Sequence, residues 1–149
     1  MLLRKPTRLD YSYVKGLIKD NYKLLDLPEN YERGFKFSRE GGIEEDWYII
    51  EAMNTRIGII GIAHYPPLFV QVVIEEPFRG VGFFGDALDL LLLEIDARYD
   101  KYTDTIYLTT LATNTAMQRA AHRRGFDFIK TIDSPNGTGN KLLVYELRR

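Results

Sequence analysis

Glu76-Pro77-Phe78-Arg79-Gly80-Val81-Gly82-Phe83-Phe84-Gly85 is the stretch on which the reading of this chain turns. A run rich in Val and Ile over 68–75 precedes it. A helical pattern follows it, with Phe84, Leu88, Leu91, Leu92, Ile95 and Tyr99 on the inward face. A strand that feeds a glycine-rich turn into a helix leaves several backbone N–H groups without intrahelical partners, all pointing one way. Glycine lets the main chain approach phosphate oxygens, and the helix dipole adds roughly 0.3–1 kcal/mol of attraction for negative charge. The alternative is a tight loop that uses its glycines for backbone angles alone.

Working outward, the run over 68–75 is the third of three β-rich segments. Trp47 to Met53 and Ile57 to Tyr65 form a hairpin about Asn54-Thr55-Arg56, and Pro66-Pro67 breaks the chain before the third strand. Towards the N-terminus, Leu2 to Thr7 reads as a first strand. Asp10 then caps a helix bearing Val14, Leu17, Ile18, Tyr22 and Leu25 at helical spacing, stopped by Pro28. Glu29 to Glu45 reads as a short helix and a loop. Towards the C-terminus, Thr105 to Thr110 is a strand, Asn114 to Arg124 a helix ended by Gly125, and Phe126 to Ile132 a strand joined through Ser134 to Asn140 to a last one, Lys141 to Leu147. The pattern is one α/β domain over 1–149, with about seven strands and no internal repeat.

Two phosphate-binding motifs fail against this order. Gly80-x-Gly82-x-x-Gly85 matches the dinucleotide fingerprint in letters, but that motif needs a βαβ unit and an acidic residue ending the next strand; here the strand ends Leu108-Thr109-Thr110. A P-loop needs Gly-Lys-Ser/Thr, and this chain has Gly85-Asp86-Ala87.

Arg79-Gly80-Val81-Gly82 resembles the Arg/Gln-x-x-Gly-x-Gly/Ala signature of the GNAT acyltransferases, and Glu76 to Gly82 is similar to the Pro-Glu-Tyr-Arg-Gly-x-Gly run common there. Asn114 with Gly125-Phe126 resembles the family's Asn-x-x-Ala…Tyr-x-x-x-Gly-Phe segment at the family's spacing. The likeness runs over the whole chain, by motif from Trp47 onward and by element order before it. It implies a mostly antiparallel sheet whose fourth and fifth strands splay apart to admit the pantetheine of acetyl-CoA or another acyl-CoA. Main-chain groups of Val72, Val73 and Ile74 would meet the pantetheine, the amides of Val81, Gly82, Phe83, Phe84 and Gly85 would hold the pyrophosphate, and Arg79 and Gly80 would belong to the same cofactor-binding turn. Asn114 would reach the pantetheine arm; read alone, it is a helix cap.

Two positions depart from the family. The last small residue of the signature falls on Phe84, with glycine one place later, and the tyrosine expected as general acid seven residues after Asn114 is Ala121. A lysine-like amine with a pKa near about 10.4 must lose a proton before it attacks a thioester. Glu75, Glu76, Glu51 and His64 are candidate bases, with Glu75 favoured; strand alternation lets only one of Glu75 and Glu76 face the cleft. His122 or Tyr107 could replace the missing acid, although the thiol, with a pKa near about 8.5, already leaves readily. Trp47, Tyr48 and Tyr31, with Glu29, Glu32, Glu40, Glu44 and Glu45, would flank the acceptor side by the same resemblance, or the carboxylates are a solvated face.

Composition narrows the classes. The 149 residues are 45% hydrophobic and 28% charged, with net charge −1. Arg4-Lys5, Arg123-Arg124 and Arg148-Arg149 are the only adjacent basic pairs, so there is no stripe for nucleic acid. No cysteine and two histidines leave no ready metal site. Apolar runs such as Leu90 to Leu93 are far too short to span a membrane, and the N-terminus lacks the apolar stretch of a signal peptide; a cytoplasmic protein, monomer or homodimer, is expected. The leading reading is transfer of an acetyl group from acetyl-CoA to a small-molecule or peptide amine, without metal. Against it stands a GNAT-fold binding module that has lost catalysis, which a cleft plugged by Phe83 or Phe84 would favour.

Overall fold

Trp47, Tyr48, Ile49 and Ile50 are buried in succession, which a strand tolerates only where both faces of its sheet are covered. The computed structural model describes residues 1–27, 45–63, 68–98 and 105–149, and in it this run lies in a seven-stranded sheet. The strands are β1 (Leu2–Arg4), β2 (Glu45–Ala52), β3 (Thr55–Ala63), β4 (Leu68–Ile74), β5 (Thr105–Leu111), β6 (Asp127–Asp133) and β7 (Lys141–Arg148), in the order β1-β2-β3-β4-β5-β7-β6. All neighbours are antiparallel except β4 and β5. Three helices flank the sheet among the described residues: α1 (Tyr11–Asp20), α2 (Phe83–Arg98) and α3 (Thr115–Arg123).

Alternation along β2 divides the core. Tyr48, Ile50 and Ala52 join Leu88, Leu91 and Ile95 of α2 on one face. Trp47 and Ile49 join Val14, Leu17 and Ile18 of α1 on the other. The inward face expected of α2 is present, with Ala87 added and Tyr99 outside the described residues. No described helix is long and apolar enough to cross a membrane.

Four boundaries move for physical reasons. The β2–β3 turn is Met53-Asn54, one position earlier than expected, because both residues take positive φ (53° and 60°) between the paired Ala52 and Thr55; that geometry matches the strand twist. The close approach of β4 requires Gly58, next to a bulge at Ile57: its Cβ would lie 2.2 Å from the Val73 carbonyl oxygen. The first strand ends at Arg4, and Asp10 stands at the N-cap of α1 as expected but makes no side-chain cap bond there: Thr7 and Asp10 form a capping box on a 3-10 turn, Arg8–Asp10, and the Asp10 carboxylate takes a bidentate pair from Arg4 at 2.7 and 2.8 Å. Helix α1 closes at Asp20, well before Pro28, and the chain turns through Asp26, held at φ 56°. Glu29 to Glu44 and His64 to Pro67 lie outside the described residues.

Gly125 ends α3 as expected. Its φ is 90°, and the Phe126 amide closes back on the Ala121 carbonyl at 3.1 Å, the bond of a helix end that has turned left-handed.

Candidate active site

Strands β4 and β5 pair over three positions only, Leu68 with Ile106, Phe69 with Tyr107 and Val70 with Leu108. Beyond Val70 they separate, and a cleft of about 1650 Å³ opens, lined by Gln71 to Ile74 on one side and Thr109 to Leu111 on the other. The Glu75 amide donates to the Ile57 carbonyl at 2.8 Å opposite it. Antiparallel alternation then pairs Val73 and Gln71 with β3 and turns the main-chain groups of Val72 and Ile74 into the gap. Val73 therefore differs from its expected role: its peptide belongs to the ladder and its side chain to the α1-side core.

The turn at the cleft's end is built as its residues suggest. Gly80 and Gly82 have φ of 78° and 92°, and a Cβ on either would meet open space, so glycine is needed for the angle and not for room. The first α2 bond recorded is from the Asp86 amide to the Gly82 carbonyl at 3.3 Å; the amides from Gly80 to Gly85 meet no acceptor among the described residues. Arg79 is a strut. Its Nε donates to the Ile74 carbonyl at 2.7 Å and its Nη2 to Asn21 Oδ1 at 2.6 Å, which fixes the exit of β4 to the end of α1.

Phe83 and Phe84 stand in the cleft wall and do not fill it. Phe84 is buried in the α2-side core, and Phe83 leans on Phe78 with ring centroids 6.3 Å apart. Val81 is exposed beside the cleft. Asn114 lines the cleft while its Oδ1 caps α3 by accepting the Met117 amide at 3.1 Å, so its two readings coexist.

The candidate proton carriers do not converge. Glu75 follows Ile74 directly, on the α1 face, and its carboxylate accepts the Tyr13 hydroxyl at 2.7 Å, but it is absent from the cleft lining. Burial, and then the bond to Glu75, push the Tyr13 phenol well above its usual range, while Arg56 lies over its ring at 4.3 Å. Glu51 is held by Arg4 Nε at 2.5 Å. Tyr107 packs on Phe69 with centroids 5.5 Å apart, and His122 is exposed; neither lines the cleft. Ala121 is fully buried, facing the core. Trp47 does line the cleft, whereas Tyr48 turns to the opposite core; Tyr31, Glu29, Glu32, Glu40, Glu44 and His64 lie outside the described residues.

No family model matches the sequence, and no curated protein matches it. Solved structures do match. A spermidine N-acetyltransferase from Vibrio cholerae, in complex with CoA and spermine, superposes with a TM-score of 0.77 at 16% identity, over 99% of this chain and 94% of that one. RimL, a ribosomal-protein alpha-N-acetyltransferase in complex with coenzyme A, gives 0.75 at 17% identity over 98% and 92%. The microcin self-immunity acetyltransferase MccE, in complex with acetyl-CoA and AMP, gives 0.77 at 14% over 99% and 91%. The fold is that of the GNAT acetyltransferases. Within the GNAT fold of this chain, the glycine turn, the three-rung β4–β5 junction and Asn114 fall together around one cleft.

Several features of this GNAT cleft were not found by motif reading. Leu24, Leu25, Asp26 and Leu27 wall its α1 side, Pro135 and Asn136 reach it from the β6–β7 turn, and Arg119, Arg123 and Arg124 of the α3 region line it as well, Arg124 against Gly85. The four-residue spacing of Arg119 and Arg123 was the available signal, since it puts both on one helix face. Asp26 gave none; its partners are more than a hundred residues away.

Proposed function

We propose that the chain is an acyl-CoA N-acyltransferase of one domain, most simply an N-acetyltransferase, acting on a primary amine in a ternary complex. The observation that carries this reading is the unclosed β4–β5 cleft ending on a run of amides, Gly80 to Gly85, without acceptors among the described residues. The CoA and acetyl-CoA in the names of the structural neighbours support the same reading, as do the amines that two of those names carry. It implies a cytoplasmic protein.

The residues present fit an acyl-CoA. The amides of the turn donate to the diphosphate without bringing charge of their own, and the α2 dipole adds to them. Val72 and Ile74 offer main-chain groups along the gap, as a neighbouring strand would receive them. The bound acyl-CoA supplies the activated thioester carbonyl. Glu75, oriented by the Tyr13 hydroxyl, takes the proton of the amine through water, because it stands one residue past the cleft lining. No described side chain replaces the tyrosine missing at Ala121, so the thiolate leaves without a positioned acid.

Titration calorimetry with acetyl-CoA tests the binding step. Micromolar binding is expected, lost in Gly82→Glu, where the side chain enters the open space over the turn. Thiol release across a panel of peptide N-termini, polyamines and small aromatic amines then tests transfer. The separation of Glu75, His122 and Tyr107 from the cleft lining favours a second reading, a CoA-binding module without transfer. Binding without thiol release from any amine would establish that one.

A further inference from the structure

The last rung between β4 and β5 is Val70 with Leu108, and the next residue on each strand is polar: Gln71 on β4 and Thr109 on β5. Val73 belongs to the α1-side core and Leu108 to the α2-side core, so alternation turns both Gln71 and Thr109 to the α1 face. The strands there start from a spacing of about 4.8 Å and widen. Both side chains are half-buried and line the cleft, and neither makes a hydrogen bond among the described residues. The walls around them on that face are largely hydrocarbon. Ile18, Leu25 and Leu27 come from the α1 side, Trp47 and Ile59 from β2 and β3, and Phe69 stands two residues before Gln71 with its ring 5.5 Å from that of Tyr107. The one carboxylate lining the cleft among the described residues is Asp26, and both its oxygens already accept bonds, from Ser134, Thr138 and Asn140. Arg79, Arg119, Arg123 and Arg124 line the same cleft, so its charged wall is cationic.

We propose that the α1 face of the cleft selects a primary amine carried on a compact aliphatic or aromatic body and turns away polyamines, with Gln71 Oε1 and Thr109 Oγ1 receiving the two N–H groups of the neutral amine. This rests on the acyl-transfer reading and names the acceptor class for it. An amine that has lost its extra proton keeps two N–H donors and one lone pair. With the donors held by oxygens on opposite sides of the gap, the lone pair is left for the thioester carbonyl. A second ammonium on the acceptor would shed its water against these walls without a counter-ion, in a cleft whose arginines repel it. A hydrocarbon acyl chain on the donor is the other group with the character of this space. It would bury the Gln71 amide and the Thr109 hydroxyl without partners, a penalty that the amine avoids.

The test measures thiol release from acetyl-CoA with 2-phenylethylamine, 3-methylbutylamine, 1,4-diaminobutane and spermidine, in wild type and in Leu27→Glu. Leu24→Glu is the second variant, because Leu24 lines the cleft and is already 43% exposed; thermal unfolding checks that each variant is folded. In wild type, kcat/KM for the two monoamines is expected to exceed that for the diamine by roughly tenfold or more. A carboxylate on the wall is expected to shrink that ratio by roughly tenfold, a change of preference that mere loosening of the fold would not produce. Thr109→Val is expected to lower kcat/KM roughly three- to tenfold with every amine. A wild type that prefers the diamine or spermidine overturns the proposal, as does a ratio that neither carboxylate moves. Faster use of hexanoyl-CoA than of acetyl-CoA, with the body of the amine making no difference, overturns it too, since the chamber then serves the donor. If acetyl-CoA binds but no amine releases thiol, calorimetry of the CoA complex with 2-phenylethylamine and 1,4-diaminobutane decides: a preference for the former that Leu27→Glu removes supports the chamber, and equal or absent binding overturns it. If acetyl-CoA itself does not bind, the acyl-CoA reading falls, and the same pair of titrations on the free protein decides the chamber alone.

Discussion

Asp10 is the residue on which the N-terminal region is tied. Its side chain is 2% exposed, and bonds from the Arg4 guanidinium foremost, then from the Thr7 amide and Arg56, hold its carboxyl well below the usual carboxylate range. The folded value lies under that of the unfolded chain, near about 3.9, so the stabilisation is complete above that pH and lost as pH falls through the folded value. Asp10→Asn should cost about 1–3 kcal/mol at pH 7, less than a fully buried pair because Arg4 is a third exposed. Its acid unfolding limb should also be shallower; urea titrations at pH 7 and pH 3 check both. The sequence hid this role. Thr7 and Asp10 have the spacing of a capping box, which reads as a helix start, but Arg56, the other cation on the carboxylate, is 46 residues away, and no local pattern announces it.

At the scale of elements, the hairpin and β4 were legible because their Val and Ile runs have the right length and are bounded by turn residues. What local reading could not supply is where pairing stops. Nothing in Gln71 to Ile74 says that β5 leaves them; that expectation came with the family resemblance, and the three-rung junction bears it out. Gly58 belongs to this scale too, since it sets how closely β3 approaches β4. Gly58→Ala should cost about 2–3 kcal/mol, because both atoms in the 2.2 Å contact are tied to strand backbone and cannot swing away. Urea unfolding should show a lower midpoint at unchanged slope.

At the scale of the molecule, Asp26 joins distant parts of the chain across the mouth of the cleft. Its carboxylate accepts from Ser134, Thr138 and Asn140, and its carbonyl accepts from Asn136 at 3.0 Å. It is 5% exposed and sits at positive φ, a conformation that Asn tolerates as well. Asp26→Asn keeps the backbone and removes two-sided acceptance by the carboxylate. Hydrogen exchange at residues 134–140 should then quicken by about tenfold or more, with the central strands unchanged; equal exchange would show that the turn holds itself. A sequence cannot display such a tie, because its members are a turn aspartate and four polar residues of an ordinary loop.

The short junction between β4 and β5 also has a mechanical meaning. The sheet is two panels, one of β1 to β4 and one of β5, β7 and β6, fastened by three rungs. Every other seam except that of β1 runs six pairs or more. Load applied across the strands will part the panels at the three-rung seam before it disturbs the longer seams within either, and whatever lies in the gap becomes mortar between them.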